Sequence, residues 1–173
     1  MANDGDEDAF RREAVACLDG LFSFALSLAR DRVAAQDLVQ EAYLRALRAA
    51  RHPEEASGIR SWLFTILHNV WRNERRRRAP EPLETLPERL EPRAPADVDR
   101  VLDATSTSDR LRSAIDALPE AYRGVVMLRY GEGFSYQEIA DILRCPAGTV
   151  MSRLSRARSL LRHAVTEPRK GAP

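Results

Sequence analysis

The sequence predicts an all-helical protein made of two small helical domains that a flexible, acidic, proline-rich linker joins. Helix-forming residues dominate the 173-residue chain, whereas aromatic residues make up 6% and there are eight glycines. Apolar residues recur at three- and four-residue spacing in both halves, as amphipathic helices require. Residues 79–109 lack a sustained pattern of this kind and contain five of the ten prolines, with eight acidic residues against three arginines. We therefore predict domains at 10–78 and 109–166, with a mobile linker at 79–108.

Two helices are predicted before residue 50. The first runs from Phe10 to about Ala29, and the second from about Val33 to Ala50. The predicted inward residues of the first are Leu18, Leu21, Phe22, Ala25 and Leu28. Those of the second are Ala35, Leu38, Val39, Ala42 and Ala46.

A second face of the Val33–Ala50 helix mixes two carboxylates with an amide and a leucine. Its residues follow helical spacing and are Asp37, Gln40, Glu41 and Leu44. Such a face is either a solvated edge or a docking surface for a basic partner helix. Spacing alone favours the solvated edge.

A third helix begins at Ser57–Gly58 and runs into an arginine cluster that ends at Arg78. Its predicted buried stripe consists of Ile59, Leu63, Ile66 and Val70. Off that stripe, and close to Arg72 and Arg75–Arg78, are Trp62, Phe64, Asn69 and Trp71. Rings on which bases stack, next to cations that follow the backbone, are typical of single-strand binding sites. Trp62 is equally compatible with a place in the core.

The second half contains a predicted helix-turn-helix. A helix from the Ser106–Asp109 capping cluster to Pro119 and another from Glu120 to Tyr130 precede it. Ser135 is a good N-cap, and Glu138 three residues later completes a capping box. That helix runs through Leu143 and is broken before Pro146, which suits the first turn of the next helix.

The second helix of this motif has one buried stripe and one basic face. The stripe consists of Val150, Leu154, Ala157 and Leu161. Small residues lie opposite the stripe, with arginines on the flanks; the candidate DNA contacts are Thr149, Met151, Ser152, Arg153, Ser155, Arg156 and Arg158. Between Asp141 and Glu167 there is no acidic residue. The pattern favours a helix in the major groove over a hairpin with a solvated arginine face.

Composition and spacing give no sign of catalysis. The chain has no phosphate-binding loop, no nucleophile–base pair and no metal-ligand spacing, so we expect no cofactor, no metal and no enzymatic activity. Cys17 and Cys145 are far apart in sequence, which favours free thiols in a reducing compartment over a regulatory disulfide. The N-terminus is acidic rather than signal-like, and no apolar run approaches the roughly 20 residues that span a bilayer. We expect a soluble, cytoplasmic protein.

Together, the two halves resemble a bacterial sigma factor of the sigma-70 family in its minimal, extracytoplasmic-function form. The segments DLVQEAYLRAL (37–47) and SWLFTILHNVWRNERRRR (61–78) resemble the second region of these factors. The segment DALPEAYRGVVMLRYGEGFSYQEIADILRCPAGTVMSRLSRAR (116–158) resembles the fourth region. The order and spacing of LPEAYR, SYQEIA and GTVxSRLxRAR make the resemblance specific.

The resemblance implies a promoter-specificity subunit of RNA polymerase. It assigns the face around Asp37 to the clamp helices of the polymerase's largest subunit, which reverses the preference for a solvated edge. It assigns the second helix of the helix-turn-helix to the minus-thirty-five element and the linker to the RNA path of the polymerase. It also implies two further partners, the polymerase flap and an anti-sigma protein. Promoter melting and capture of an unpaired minus-ten base fall to Trp62, His68, Asn69, Arg72, Arg75, Arg76 and Arg77.

Two positions depart from the usual pattern of the family. Arg144 occupies a corner position where glycine is common, which strains the backbone if φ is positive there. Met151 replaces a residue that is commonly lysine or arginine, so the promoter preference cannot be copied from relatives. The alternatives are a stand-alone helix-turn-helix regulator and a helical protein-binding adaptor. The regulator would leave Asp37–Leu47 and the single-strand pattern as coincidence, and the adaptor would leave the one-signed basic helix unexplained.

Overall fold

The computed structural model of the chain describes residues 4–49, 53, 56–78 and 105–166. Within these ranges, all regular structure is helical. The elements are α1 (Asp4–Ala16), α2 (Leu18–Ala29), α3 (Arg32–Leu47), α4 (Ala56–Arg78), α5 (Thr105–Ala117), α6 (Glu120–Val126), a π-helical turn (Met127–Gly131), α7 (Tyr136–Leu143) and α8 (Ala147–Thr166). None of these helices is long and apolar enough to cross a membrane. The predicted all-helical class is confirmed.

The first half of the molecule, α1 to α4, is built around α4. This helix of 23 residues packs against α1, α2 and α3. Asp31 begins α3 by accepting a hydrogen bond from the Ala34 amide at 2.8 Å. The inward residues predicted for α3 are all buried, and three of the five are alanines. Small side chains let α3 approach α2 and α4 closely.

The region predicted as one helix from Phe10 to Ala29 is two helices. The two helices are separated by the single residue Cys17. Leu21, Ala25 and Leu28 are buried as predicted, but Leu18 is 46% exposed and its assignment to the core was wrong. The buried residues keep a three- and four-residue spacing across Cys17, and Leu18 lies beside their stripe, which consists of Phe10, Ala14, Cys17, Leu21, Phe24 and Leu28.

The stripe predicted for α4 was wrong at two positions. Phe64 is fully buried, although its spacing placed it off the stripe, and Ile66 is only half-buried. The reason is that α4 is covered on two sides, by the first half and by α7. The Phe64 ring lies between Phe24 of α2 at 5.7 Å and Phe134, which precedes α7, at 5.0 Å.

The second half, α5 to α8, contains a π-helical turn where an ordinary helix was predicted. After Val126 the chain widens into residues Met127–Gly131, and the Glu132 amide closes the turn on the Met127 carbonyl at 3.0 Å. Gly133 then adopts a φ of 74°, a left-handed conformation that glycine tolerates at little cost. This path buries Phe134 against the first half.

The predicted linker lies mostly outside the described residues. Its last four positions, 105–108, belong to α5, which begins earlier than predicted. Residues 79–104 are not described, and their role as a mobile tether stays a prediction.

The two halves pack directly on each other, which the sequence did not predict. The π-helical turn and α6 contact α2, while α7 contacts α4, and the buried residues of both halves form one cluster. Among the arginines that cross this junction, two do so in opposite directions. Arg30, from the first half, donates to the Asp116 and Leu118 carbonyls at the end of α5. Arg123, from the second half, donates to the Ser27 carbonyl near the end of α2 and to Leu118 at 2.7 Å.

These contacts satisfy carbonyls that helix ends leave unpaired, where positive charge is also favoured. Arg123 is only 2% exposed. Burial, followed by repulsion from Arg30, lowers its pKa. A buried guanidinium is costly unless it is hydrogen-bonded, so Arg123 stabilises the protein only while the halves remain together.

Candidate nucleic-acid interface

The helix-turn-helix begins with the capping box that the sequence predicted. The Ser135 hydroxyl accepts from the Glu138 amide at 3.2 Å, and the Ser135 amide donates to the Glu138 carboxylate at 2.7 Å. The hydrogen bonds from Ser135 lower the pKa of Glu138. Ile139 and Ile142 of α7 are fully buried. The cap thus fixes the start of α7 while its apolar face anchors it to the core.

The corner between α7 and α8 is formed around Arg144. Its φ is 53°, so the strain expected at this position is present. The Arg144 amide donates to the Asp141 carbonyl at 3.3 Å, and the Cys145 amide donates to the Ala140 carbonyl at 3.0 Å. This bond pattern satisfies the last carbonyls of α7 and turns the chain sharply, at the cost of holding a non-glycine residue in the left-handed region.

The predicted stripe of α8 is buried in full, so its basic side faces outward as predicted. Met151 is 50% exposed, and Ser152 is exposed with its hydroxyl donating to the Thr149 carbonyl at 3.0 Å. Ser155 is half-buried and is therefore less accessible than Ser152. The half-buried positions also include Thr149, Arg153, Arg156 and Arg158. Met151 and Ser152 therefore form the most open part of the candidate DNA-reading surface.

On α4, the residues predicted to bind single-stranded DNA differ in exposure. We call this set the α4 patch; it comprises Trp62, His68, Asn69, Arg72, Arg75, Arg76 and Arg77. Trp62 is half-buried with its ring edge-on to Phe10 at 6.3 Å, which gives it a role in packing as well. Arg75 lies over the Trp71 ring at 5.5 Å and pairs with Glu120 of the second half. Arg76 and Arg77 are exposed.

Three polar atoms in the α4 patch are buried without a hydrogen-bond partner among the described residues. They are His68 Nδ1, Asn69 Oδ1 and Arg72 Nε. Leaving a buried donor or acceptor unsatisfied costs about 1–3 kcal/mol. His68 is 8% exposed, stacks at a tilt near Trp71 and hydrogen-bonds to the backbone of Ile142 in α7. The patch is therefore partly enclosed by the second half, with polar groups that a ligand would satisfy.

The face of α3 around Asp37 points away from the core. Asp37 and Gln40 are exposed, Leu44 is 39% exposed, and Glu41 is half-buried in an ion pair with Arg45 at 2.6 Å. Sequence reasoning missed Val33 and Leu47, which are 64% and 61% exposed. With them, the α3 face becomes a stripe spaced four, three, four and three residues apart along one helix.

This spacing is the seam with which one helix packs against another. The signal was present in the sequence, because valine and leucine recur at the same interval as Asp37, Gln40 and Leu44. It was hidden because the buried stripe on the other side explained the helix without it. Exposed apolar residues aligned in this way mark an interaction surface.

The described residues contain no group of three or more His, Cys, Asp or Glu side chains that could hold a metal ion. Both cysteines are free, and burial raises the pKa of each. Three surfaces make up the candidate site: a basic helix with a small, open centre, a partly enclosed basic and aromatic patch, and an acidic–apolar helix face. This combination is typical of a helical DNA-binding protein, with the α3 face as a candidate docking surface.

Comparison with known proteins places both halves in one family. Residues 15–81 match sigma-70 region 2, and residues 108–161 match sigma-70 region 4. The chain is 36% identical to the ECF RNA polymerase sigma factor EcfG of Rhodopseudomonas palustris, covering 89% of this chain and 83% of that protein. It is 32% identical to the RNA polymerase sigma-H factor of Pseudomonas aeruginosa, covering 93% and 88%. The chain belongs to the sigma-70 family, in its extracytoplasmic-function branch.

A solved structure agrees with this assignment. The chain resembles the sigma factor RpoE of Bartonella quintana, crystallised in complex with the anti-sigma factor NepR, with a TM-score of 0.67 and 29% identity. The likeness covers 92% of this chain and 98% of that one.

The strain at Arg144 predicts an unusual order of stabilities. Replacing Arg144 by glycine should relieve the left-handed strain, whereas replacing it by alanine removes the same charge but keeps the Cβ atom. We expect Arg144→Gly to be more stable than Arg144→Ala by about 1 kcal/mol in urea denaturation. Equal stabilities, or a more stable alanine variant, would show that the Cβ atom costs nothing at this corner.

His68 predicts a dependence of stability on pH. Burial, then repulsion from Arg72, lowers its pKa from 6.5 to about 4, with Arg144 and Arg153 adding to the repulsion. Since the folded state disfavours the protonated imidazole, stability is complete above pH 6.5 and falls as the pH falls toward 4. Between pH 7 and 4.5 we expect His68→Gln to lose about 2–3 kcal/mol less free energy of unfolding than the wild type. Carboxylates titrate in both proteins and cancel in the comparison. Equal losses would contradict the lowered pKa.

Proposed function

We propose that this sigma factor binds core RNA polymerase through the α3 face, melts the minus-ten element with the α4 patch and reads the minus-thirty-five element with α8. The strongest support is the order of the two family matches along the chain. The region 2 match contains α4, and the region 4 match contains most of α8, so each match includes one of the two arginine-bearing helices. A stand-alone helix-turn-helix regulator would have no need for the match over residues 15–81. The partners are core polymerase and promoter DNA, and the cell compartment is the cytoplasm, where transcription takes place.

The α3 face fits a helical partner with positive charge. Val33, Leu44 and Leu47 supply apolar contact, and Asp37 supplies negative charge that remains exposed. Family resemblance assigns this surface to the clamp helices of the polymerase's largest subunit, and a helical seam is the geometry that such a partner needs. The same resemblance assigns the polymerase flap to the second half.

The α4 patch fits an unpaired strand. Trp62 belongs to the patch and Trp71 lies next to it, with Arg75 over the Trp71 ring, and stacking of a base on an aromatic ring contributes about 1–3 kcal/mol. Asn69 offers an amide that can read a base edge, and its oxygen has no partner among the described residues. Capture of bases in this patch would offset the cost of unstacking them.

We propose an anti-sigma protein as a further partner, because a similar sigma factor is known in complex with one. The Bartonella quintana relative is crystallised with one, and that structure covers nearly the whole of this chain. A regulator that binds both halves at once would hide the DNA-binding and polymerase-binding surfaces together.

A reconstituted transcription assay tests the proposed function. The purified chain should direct initiation at a subset of promoters in a genomic fragment library only when core polymerase is present. Specific binding of duplex DNA by the chain alone, with no effect on initiation by core polymerase, would favour the stand-alone regulator.

The α3 face predicts a specific defect in polymerase binding. Asp37→Arg places a positive charge against a basic partner, and like charges at an interface cost several kcal/mol. We expect affinity for core polymerase to fall at least about 100-fold, with unchanged helical circular dichroism. The matched control is Asp19→Arg, the same charge reversal at an exposed position of α2. Equal losses in both variants would refute the α3 face.

The α8 surface predicts that two substitutions act differently on promoter choice. Met151→Arg changes the most open position, where arginine can pair with guanine and discriminate by about 1–3 kcal/mol, so it should reorder the preferred minus-thirty-five sequences. Arg156→Ala removes a flank contact to phosphate, so it should weaken all sites about equally and reduce the salt dependence.

The measurement is competition of holoenzyme for a library randomised at the minus-thirty-five element, at two salt concentrations. Reordering by Arg156→Ala with no reordering by Met151→Arg would show that α8 enters the groove in a different orientation.

A further inference from the structure

We propose that Ser152 of α8 reads the minus-thirty-five element as a hydrogen-bond acceptor, and that it selects the exocyclic amino group of an adenine or a cytosine at one position. The inference rests on the proposed function, because it takes α8 to be the helix that enters the major groove. Three features of α8 support this assignment: the side chains that it lacks, the exposure of Ser152 and the bond that the Ser152 hydroxyl already makes.

Few side chains of α8 can accept a hydrogen bond from a base. Its 20 residues include no Asp, Glu, Asn or Gln. Proteins usually read adenine with Asn or Gln and cytosine with Asp or Glu, so α8 cannot make these pairings. The arginines of α8 are donors only. The side-chain oxygens that remain are hydroxyls, and they belong to Thr149, Ser152, Ser155, Ser159 and Thr166.

Ser152 is the hydroxyl residue best placed to contact a base edge. It is exposed, whereas Thr149 and Ser155 are half-buried. Ser159 and Thr166 are exposed as well, but they lie about 10 Å and 20 Å farther along the helix axis. In a helix-turn-helix, the N-terminal residues of the second helix are the ones that contact base edges. Ser152 lies in the second turn of α8 and meets this condition.

The proton of the Ser152 hydroxyl is already used in a hydrogen bond. Oγ of Ser152 donates to the Thr149 carbonyl at 3.0 Å, a bond to the preceding turn that serine can make inside a helix. A hydroxyl has one proton and two lone pairs, so the Ser152 oxygen is left with acceptor capacity only. Donation to the carbonyl also polarises the O–H bond, which makes the oxygen a better acceptor.

Accepting a hydrogen bond from a base is more favourable for Ser152 than donating one. To donate to O6 of guanine or O4 of thymine, the hydroxyl must break its bond to Thr149, which exchanges one hydrogen bond for another. To accept from the N6 amino group of adenine or the N4 amino group of cytosine, the hydroxyl keeps its bond to Thr149 and gains a second one. The favoured contact is therefore with an amino group.

This contact gives Ser152 a defined share in promoter choice. Each base pair displays one such amino group in the major groove, on its adenine or its cytosine. An acceptor at a fixed position reaches the amino group on one strand only. Ser152 therefore favours adenine or cytosine over guanine or thymine at one position of that strand.

The test removes the hydroxyl and the amino group separately and together. Wild-type and Ser152→Ala holoenzymes first compete for a library randomised at the minus-thirty-five element, which gives the preferred sequence of each. In the wild-type sequence, each adenine is then replaced in turn by unsubstituted purine and each cytosine by 2-pyrimidinone, bases that lack the amino group. At one position, we expect the wild type to lose about three- to tenfold more affinity than Ser152→Ala does. Weaker base pairing affects both proteins and cancels in this cycle.

Two further variants show whether the hydroxyl itself is responsible. Ser152→Thr should keep the sensitivity to the missing amino group, because a threonine hydroxyl in a helix also bonds to a carbonyl of the preceding turn. Ser159→Ala is the matched control, since it makes the same substitution at another exposed position of α8, and it should keep the sensitivity as well.

Two results would overturn the inference while the proposed function stands, because in both the wild type still selects minus-thirty-five sequences. One is an equal loss in wild type and Ser152→Ala at every adenine and cytosine, which would mean that the Ser152 oxygen contacts no amino group. The other is a preference for guanine or thymine that disappears in Ser152→Ala, which would mean that the hydroxyl donates. A wild-type holoenzyme that selects no sequence from the library would refute the proposed role of α8, and the inference with it.

Discussion

The structure depends most on the packing of Phe64 between Phe24 and Phe134. The first ring belongs to α4, the second to α2 and the third to the segment that begins the helix-turn-helix, so one buried contact joins both halves of the chain. Aromatic pairs at these separations contribute about 0.5–1.5 kcal/mol each beyond the area they bury. Arginines add polar contacts across the junction, and one of them, Arg60 of α4, lies 4.3 Å from the centre of the Phe134 ring.

The polar groups at the junction between the halves differ in how well they are hydrogen-bonded. Arg123 donates from Nε and Nη1 to helix-end carbonyls, whereas Nδ1 of His68, Oδ1 of Asn69 and Nε of Arg72 have no partners among the described residues. Buried polar groups are usually hydrogen-bonded, so these three atoms are the groups of the α4 patch whose partners lie outside the described residues.

Most of the fold followed from the sequence because helix signals are local. The capping box at Ser135, the stripes of α3 and α8, and the strained corner at Arg144 were all predicted from neighbouring residues and confirmed. The errors at Leu18, Phe64 and Ile66 have one origin. A stripe predicted from periodicity assumes one buried face and one choice of phase, whereas α4 is buried on two sides and the stripe of α1 and α2 passes through Cys17 and Phe24 rather than Leu18.

The candidate site was predictable to a smaller extent. Residue types identified the α4 patch and the α8 surface, but their exposure depends on the second half, and contacts between halves leave no periodic signal in the sequence. Glycine at position 20 and glutamate at position 132 are ordinary residues until the fold brings them together. The roles of the individual site residues remain predictions that the experiments above address.

The most direct test of this account is the distance between the halves in the free chain and on a promoter. Dyes attached to cysteines introduced at the exposed positions Ser23 and Ser159, with Cys17 and Cys145 replaced by alanine, report that distance by single-molecule energy transfer. The account predicts high transfer in the free chain and low transfer in the open complex with core polymerase, when α4 holds DNA in place of the second half. High transfer in a transcriptionally active open complex would contradict it.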